Sequence, residues 1–168
     1  MSQNTEEFLS VIENNKGIIY KVANFHCKDE EDRKDLVQEI IIQLWKSFDN
    51  YNNQYKYSTW IYRIALNVAI SFYRKEKRRK EISNPLTESI FTVIDSGEDT
   101  DKETNYILLR QYVSELKELD KAVMLLFLEE KSHKEISAII GITETNVSTK
   151  IGRIKKILKK RFSNIKQD

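Results

Sequence analysis

Residues 132–161 read SHKEISAIIGITETNVSTKIGRIKKILKKR, and they predict two short helices joined by a tight turn. Ser132 is a good helix N-cap, and Glu135 follows it at the spacing of a capping box. Gly141 tolerates the left-handed backbone that ends a helix, and Thr143 can cap a second helix almost at once. The two axes must therefore cross steeply, as they do in a helix-turn-helix.

The second of these helices is predicted to have one apolar and one basic side. Its apolar residues follow helical spacing and share one face: Val147, Ile151, Ile154 and Leu158. The opposite face carries short hydroxyls, a glycine and cations: Thr145, Thr149, Gly152, Arg153, Lys156 and Lys160. Small side chains let a backbone approach base edges, while arginine and lysine reach guanines or phosphates. This face suits the major groove of DNA, although the solvated face of an ordinary helical hairpin has the same pattern.

Charge is distributed unevenly, although 28 basic and 26 acidic side chains leave a net charge of only +2. Residues 74–80 contain six basic residues and one acidic residue, residues 81–105 one and seven, and residues 145–168 eight and one. Two basic blocks separated by an acidic segment indicate two contacts with a polyanion. A membrane surface would attract the same blocks, but no apolar run is long enough to span a bilayer, so we expect no direct membrane insertion.

The position of the chain in the cell is predicted from what its sequence lacks. The single cysteine, Cys27, excludes an internal disulfide, and acidic residues near Met1 argue against a signal sequence. We therefore expect a cytoplasmic protein.

One proline and four glycines, with apolar residues at helical spacing, predict an all-α chain. Three amphipathic helices are expected to form an N-terminal bundle over residues 1–80, with Thr5, Asp29 and either Ser58 or Thr59 near their starts. A partly flexible acidic linker over residues 81–105 should lead to a second small helical domain over residues 106–168, which contains the helix-turn-helix.

A polar loop at residues 49–58 is rich in asparagine and tyrosine and precedes the third helix. Tyr55, Tyr57 and Trp60 border this loop, and six cations follow at the end of the helix. Unpaired bases stack on aromatic rings, each worth about 1–3 kcal/mol, while arginine and lysine hold the backbone. The combination favours single-stranded DNA, and a core position at the helix start is the alternative for Trp60.

Three blocks of the sequence resemble the extracytoplasmic-function (ECF) sigma factors of bacterial RNA polymerase. They are DLVQE at 35–39 with LW at 44–45, YSTWIYRIALN at 57–67 with YRK at 73–75, and SHKEI at 132–136 continuing to Arg153. Their order and spacing make the resemblance specific, and it covers nearly the whole chain from Phe8 to Phe162. It implies two helical domains, one for the −10 and one for the −35 promoter element, without catalytic activity of their own.

The resemblance also implies the residues and partners of each contact. The second helix would dock on the clamp helices of the largest subunit of core RNA polymerase through Asp35, Gln38, Glu39, Ile42 and Trp45. The −10 element of promoter DNA would contact Tyr55, Tyr57, Trp60, Arg63, Asn67, Arg74, Lys77 and Arg78. The −35 element would contact Thr145, Ser148, Thr149, Lys150, Arg153 and Lys156. Lysine stands where many members have arginine, so −35 reading is expected to lean on backbone contacts and DNA shape. An anti-sigma factor is the implied regulator.

Two other classes of function stay open from the residues alone. A self-sufficient helix-turn-helix repressor or activator would bind a symmetric operator, with half-sites about one helical turn apart. A purely protein-binding helical module would use its basic blocks for solubility. An enzyme is not supported, because two histidines, no phosphate-cradling glycine loop and no metal-ligand spacing give no catalytic residues, cofactor, metal or small-molecule substrate to assign.

Overall fold

The computed structural model describes residues 3–83 and 101–165, and these residues form seven α-helices and no strand. The N-terminal part consists of α1 (Gln3–His26), α2 (Glu30–Ser47), a 3-10 turn (Phe48–Asn50) and α3 (Tyr57–Ser83). The C-terminal part consists of α4 (Asp101–Ser114), α5 (Glu118–Leu128), α6 (His133–Ile140) and α7 (Glu144–Ile165). The predicted all-α fold is confirmed.

The caps of the helix-turn-helix are confirmed. Ser132 Oγ accepts a hydrogen bond from the N–H of Glu135 at 3.1 Å, and Glu135 Oε2 accepts one from the N–H of Ser132 at 2.8 Å. The bond from the Ser132 backbone N–H favours the ionised carboxylate and is the largest cause of the lowered pKa of Glu135. Gly141 ends α6 with φ of 80°, and Thr143 Oγ1 accepts from the N–H of Asn146 at 3.2 Å. Local sequence thus specifies both helix ends and the turn.

The start of α3 differs from the prediction. The helix begins at Tyr57, and the N–H of Trp60 donates to the carbonyl of Lys56 at 3.1 Å. Ser58 and Thr59 therefore lie in the first turn of α3 and do not cap it. The physical reason is tertiary, because the ring of Tyr57 packs against aromatic neighbours and extends the helix to include it.

Other predicted boundaries are partly right. Asp29 caps α2 through a hydrogen bond from the N–H of Asp32 at 3.0 Å, whereas Thr5 lies inside α1. Helix also covers residues 81–83 and 101–105, which were expected in the linker. The remainder of the expected linker lies outside the described residues, and the division into two domains stays a prediction.

Each part of the chain buries an apolar face. In the N-terminal bundle, Ile19, Val22, Leu36, Ile40, Leu44, Ile61 and Leu66 are buried. In the helix-turn-helix, the buried residues are Ile136, Ile139, Val147, Ile151, Ile154 and Leu158, with Ile140 half-buried. Removal of these side chains from water is the main favourable term for both parts.

The C-terminal part packs directly on the N-terminal bundle. Helix α6 lies against α3, helix α5 contacts α1 and α3, and buried residues of both parts join in one core. A second buried cluster, within the C-terminal part, consists of Val113, Met124, Ile154 and Leu158. A polar cluster lies at this junction, where the carboxylate of Glu118 is 3.1 Å from Nδ1 of His26 and 3.0 Å from Nζ of Lys121. Nζ of Lys121 also lies 4.8 Å from the centre of the Tyr73 ring. We call Glu118, His26, Lys121 and Tyr73 the junction cluster.

Charge pairing controls the pKa of Glu118. Burial alone would raise this pKa, but hydrogen bonds from His26 and Lys121, with their charges, outweigh burial and lower it. Glu118 therefore keeps its charge at neutral pH and compensates Lys121, which is only 2% exposed.

Cys27, at the end of α1, is a chemical probe of the junction. Burial raises the pKa of its thiol to about 11, and the charges of Asp32 and Glu118 add to this shift. The thiolate is the nucleophile, and at pH 8 this higher pKa leaves much less thiolate than the ordinary thiol pKa does. We therefore expect the folded chain to be alkylated roughly 100-fold more slowly than the unfolded chain. Mass spectrometry after iodoacetamide treatment at pH 8, with and without urea, measures this ratio; equal rates would contradict the burial of Cys27.

Candidate nucleic-acid interface

A pocket of about 320 Å³ opens between the polar loop and the first turns of α3. Aromatic rings, side-chain amides and one guanidinium surround it, from Asn50, Tyr51, Asn52, Gln54, Tyr55, Trp60, Arg63, Ile64 and Asn67. These groups can stack on a nucleobase and hydrogen-bond to its edge. The structure thus brings Tyr55, Trp60, Arg63 and Asn67, four of the residues predicted for −10 contact, into one concave surface.

Hydrogen bonds within the loop form one wall of this pocket. The hydroxyl of Tyr51 donates to the carbonyl of Tyr55 at 2.5 Å, and the N–H of Gln54 donates to Oδ1 of Asn52 at 3.2 Å. Asn53, which lies between Asn52 and Gln54, adopts φ of 59°, a left-handed conformation that asparagine tolerates. Sequence reasoning did not single out the amides of Asn52 and Gln54, although a cluster of asparagine and glutamine in a turn was visible.

Tyr57 does not line the pocket. Its ring stacks on that of Tyr51, with centroids 4.4 Å apart, and its hydroxyl donates to Oε1 of Glu7 on α1 at 3.1 Å. Burial, followed by the hydrogen bond to Glu7, raises its pKa. Tyr57 therefore joins the loop to α1, and a direct role in DNA contact has no support from its position.

Trp60 and Tyr55 have different surroundings. The Trp60 ring packs 5.3 Å from that of Tyr51 and 6.1 Å from that of Phe48, yet it also lines the pocket, so it serves both the core and the cavity. Tyr55 is 43% exposed, and the guanidinium of Arg63 lies 5.5 Å from its ring centre. Tyr55 is therefore an exposed ring with a cation over one of its faces.

The remaining residues predicted for the −10 strand follow the pocket along α3. Asn67 is exposed, as are Arg74, Lys77 and Arg78 in the basic second half of the helix. They extend a positively charged path away from the pocket.

A larger groove of about 650 Å³ lies between α2 and α3. Four of the five residues predicted for polymerase contact line its α2 side: Asp35, Gln38, Glu39 and Ile42. Ile42 is 45% exposed, so an apolar side chain lies open to water among acidic and amide groups. Trp45 lies outside the groove, where it is also exposed and meets the Phe8 ring edge-on at 4.9 Å.

The polar face of α7 is open to solvent. Thr145, Ser148, Thr149, Gly152, Arg153 and Lys156 are exposed, as predicted for a surface that enters a DNA groove. Nothing lies within 4 Å of the position that a Cβ on Gly152 would occupy. Lys150 differs, because it is half-buried and its Nζ lies 2.8 Å from Oδ1 of Asp120.

Asp120, in the first turn of α5, contacts two of the predicted −35 residues. Its second oxygen, Oδ2, lies 2.8 Å from Nη2 of Arg153. Sequence reasoning missed Asp120, because its partners are 30 and 33 positions away and no local pattern links them.

Across residues 3–83 and 101–165, no three metal-binding side chains gather into a group that could hold an ion. Within the same ranges, no helix combines the length and apolarity needed to cross a membrane.

The two parts of the chain match two models of one class of protein. Residues 11–79 match Sigma-70 region 2, and residues 106–158 match Sigma-70, region 4. The fold and the exposed surfaces thus define a sigma-70-type transcription initiation factor.

Individual relatives narrow the class. The chain is 29% identical to RNA polymerase sigma factor SigV of Bacillus subtilis over 94% of this chain and 92% of SigV. It is 28% identical to ECF RNA polymerase sigma factor SigM of the same organism, over 86% of this chain and 88% of SigM. This chain belongs to the ECF sigma factors, which direct RNA polymerase to promoters and form a non-enzymatic family.

Solved structures share the fold. The sigma factor RpoE of Bartonella quintana, solved with the anti-sigma factor NepR, superposes with a TM-score of 0.67 at 18% identity, covering 95% of this chain and 96% of RpoE. CnrH, solved with the cytosolic domain of CnrY, gives 0.68 at 17% identity, covering 96% and 91%.

Proposed function

We propose that this sigma factor divides its work among three surfaces. The groove between α2 and α3 binds core RNA polymerase, the pocket beside α3 captures an unpaired −10 base, and α7 holds the −35 duplex. The protein acts in the cytoplasm and has no catalytic activity, cofactor or small-molecule substrate of its own. The observation that carries the proposal is an exposed aromatic and amide pocket on the same chain as an exposed helix-turn-helix face.

The groove suits a protein partner. Asp35 is exposed, and Glu39 accepts a hydrogen bond from the Gln43 amide at 2.8 Å, which holds its carboxylate along the groove. Acidic groups select a basic partner surface and speed its approach, while burial of Ile42 adds an apolar contact. Trp45 can extend this contact because it is exposed on the same helix.

The pocket suits a base that has left the duplex. A captured base gains about 1–3 kcal/mol from stacking on an aromatic ring, whereas one step of DNA stacking is worth roughly 0.6–2.2 kcal/mol. The two terms are of similar size, so capture can offset the local cost of strand separation without ATP. Arg74, Lys77 and Arg78 would then hold the phosphates of the separated strand.

The −35 surface combines short hydroxyls with few long cations near the start of α7. Thr145, Ser148 and Thr149 let the helix approach base edges, and Arg153 reaches further. Lys156 lies one turn later and suits a phosphate contact.

An anti-sigma factor is the proposed regulatory partner. The RpoE neighbour is solved with the anti-sigma factor NepR, and the fold that the two chains share supports a comparable complex here. Such a partner would cover the α2–α3 groove or the DNA-binding surfaces. Direct membrane insertion of this chain is not part of the proposal.

The central experiment mixes the purified chain with bacterial core RNA polymerase and a pool of random-sequence duplexes. We expect defined transcription starts that core polymerase alone does not give, and the recovered sequences define a selected promoter. Binding of the chain alone to symmetric duplexes, without new starts, would instead favour a self-sufficient repressor or activator.

Tyr55→Ala tests the pocket. Loss of one stacking surface is expected to lower open-complex formation on the selected promoter about tenfold, within the range for one stacked base. Permanganate reactivity of unpaired thymines measures strand opening, and Tyr20→Ala is the control because Tyr20, on α1, is 53% exposed and thus at least as exposed as Tyr55. A template with a pre-opened −10 bubble should restore most of the loss; unchanged opening in Tyr55→Ala would exclude Tyr55 from base capture.

A further inference from the structure

We infer that Asp120 is a positioning residue for −35 recognition, which acts by holding Arg153 in place on the DNA-binding face of α7. The inference rests on the proposed role of α7. Asp120 itself is 7% exposed, so its carboxylate lies behind the face that DNA would approach. It therefore acts through its partners and not on DNA.

The contacts of Asp120 differ between its two partners. Oδ1 lies 2.8 Å from Nζ of Lys150, whose side chain is 24% exposed, while Oδ2 lies 2.8 Å from Nη2 of Arg153, whose side chain is 56% exposed. Lys150 is thus turned largely inward and neutralises the buried acid. Arg153, in contrast, is held at one point: its Nη2 contacts Asp120, while more than half of its side chain is exposed to solvent.

An anchored guanidinium is suited to reading a base. Arginine has five N–H donors in a rigid plane, so one edge can bind a carboxylate while others stay available for a guanine or a phosphate. Fixing the side chain before DNA arrives also removes part of the entropy cost of ordering it on binding. On a helix whose other cations are mainly lysines, Arg153 is thus a planar donor that is oriented before DNA binds.

The position of Asp120 in the fold supports this role. It lies in the first turn of α5, where Lys117 provides no side-chain cap and a negative charge is favourable. Helix α5 packs against α7 and against the N-terminal bundle, so the carboxylate is held on a rigid element. Asp120 thus fixes the direction of the Arg153 side chain relative to the axis of α7.

The charge of Asp120 makes the test diagnostic. Replacing it with the isosteric asparagine removes the charge-assisted bond that holds Arg153, and also a negative charge beneath the DNA-binding face. Sequence discrimination should fall because the guanidinium is no longer oriented, whereas non-specific affinity should stay constant or rise because repulsion of phosphates is reduced. A purely structural role would lower both together through loss of folded protein.

The experiment uses holoenzyme, formed from the full chain and core polymerase, on duplexes randomised over the −35 region of the selected promoter. Sequencing of bound DNA gives base preference at each position. For Asp120→Asn we expect about tenfold weaker discrimination at one or two adjacent positions, the same positions that Arg153→Ala affects. The double variant should lose no more discrimination than Arg153→Ala alone.

Glu115→Gln is the matched control, since Glu115 pairs with Arg161 further along α7 and its loss should leave the preference unchanged. Circular dichroism establishes that each variant is folded. If Asp120→Asn does not fold, Asp120→Glu decides, because it keeps the charge but displaces the carboxylate and should weaken discrimination at the same positions. Full discrimination in the folded variant overturns the inference. Failure of wild-type holoenzyme to select any sequence would instead overturn the proposed function.

Discussion

Asp35→Arg combined with Glu39→Arg is expected to abolish co-purification of this sigma factor with core RNA polymerase. The two changes replace the acidic side of the α2–α3 groove with two cations on the same helix face. Like charges across an interface cost several kcal/mol, so we expect affinity to fall by at least about 100-fold. A pull-down of tagged core polymerase measures the loss.

Matched controls separate this effect from a change in net charge. Glu6→Arg with Glu13→Arg makes the same change of charge at two exposed positions of α1 that do not line the groove. This control should still co-purify with core polymerase. Normal association of the Asp35 and Glu39 variant, with helical content intact, would remove the groove as the docking surface.

Glu118→Ala is expected to reduce the free energy of unfolding by about 3–5 kcal/mol, the usual cost of removing one partner from a buried charge pair. The change leaves Lys121 buried without its carboxylate and removes the hydrogen-bond partner of His26 Nδ1. Since these groups join α1 to α5, the loss should weaken the contact between the two parts. Urea unfolding followed by circular dichroism measures the change, and faster alkylation of Cys27 reports opening of the junction.

Glu129→Ala provides the comparison, because Glu129 pairs with Lys21 across the same junction but in a more exposed position. Its loss should cost less than about 1 kcal/mol.

The pH dependence of the stability that Glu118 contributes has a defined sign. The pKa of Glu118 is lowered by folding, so its contribution is fully present above the ordinary carboxyl pKa and is lost as pH falls through the lowered value. The wild type and Glu118→Ala should therefore converge in acid, and a constant difference down to low pH would contradict this assignment.

Local signals made the helix-turn-helix predictable. Ser132, Gly141 and Thr143 act within a few residues of themselves, and the buried face of α7 repeats every turn. The start of α3 was not predictable in this way, because Tyr57 packs on the rings of Phe48 and Tyr51 and also bonds to Glu7, 50 positions away. Nothing in the sequence of α6 or of α3 alone predicts that these two helices pack against each other.

The candidate site was predictable in composition but not in grouping. Aromatic residues and cations beside a polar loop indicated contact with single-stranded DNA, and Tyr55, Trp60, Arg63 and Asn67 do meet at one pocket. Tyr57 turns away from it, and Lys150 turns toward Asp120, since each finds a partner on another helix. Residue type indicates what a side chain can bind, whereas the fold decides which partner is within reach.

The packing of α6 on α3 also limits how far apart the two DNA-binding surfaces can lie. A compact chain of 168 residues has a radius of gyration of about 15 Å, while promoter elements about 25 base pairs apart are separated by roughly 85 Å of duplex. With the −10 and −35 contacts divided between the two parts as proposed, holding both elements at once requires α6 to leave α3, so the stability of the junction should oppose promoter engagement. Each tenfold shift toward the separated arrangement should then strengthen two-point binding by up to tenfold, and variants of the junction cluster should change how readily this sigma factor spans a promoter.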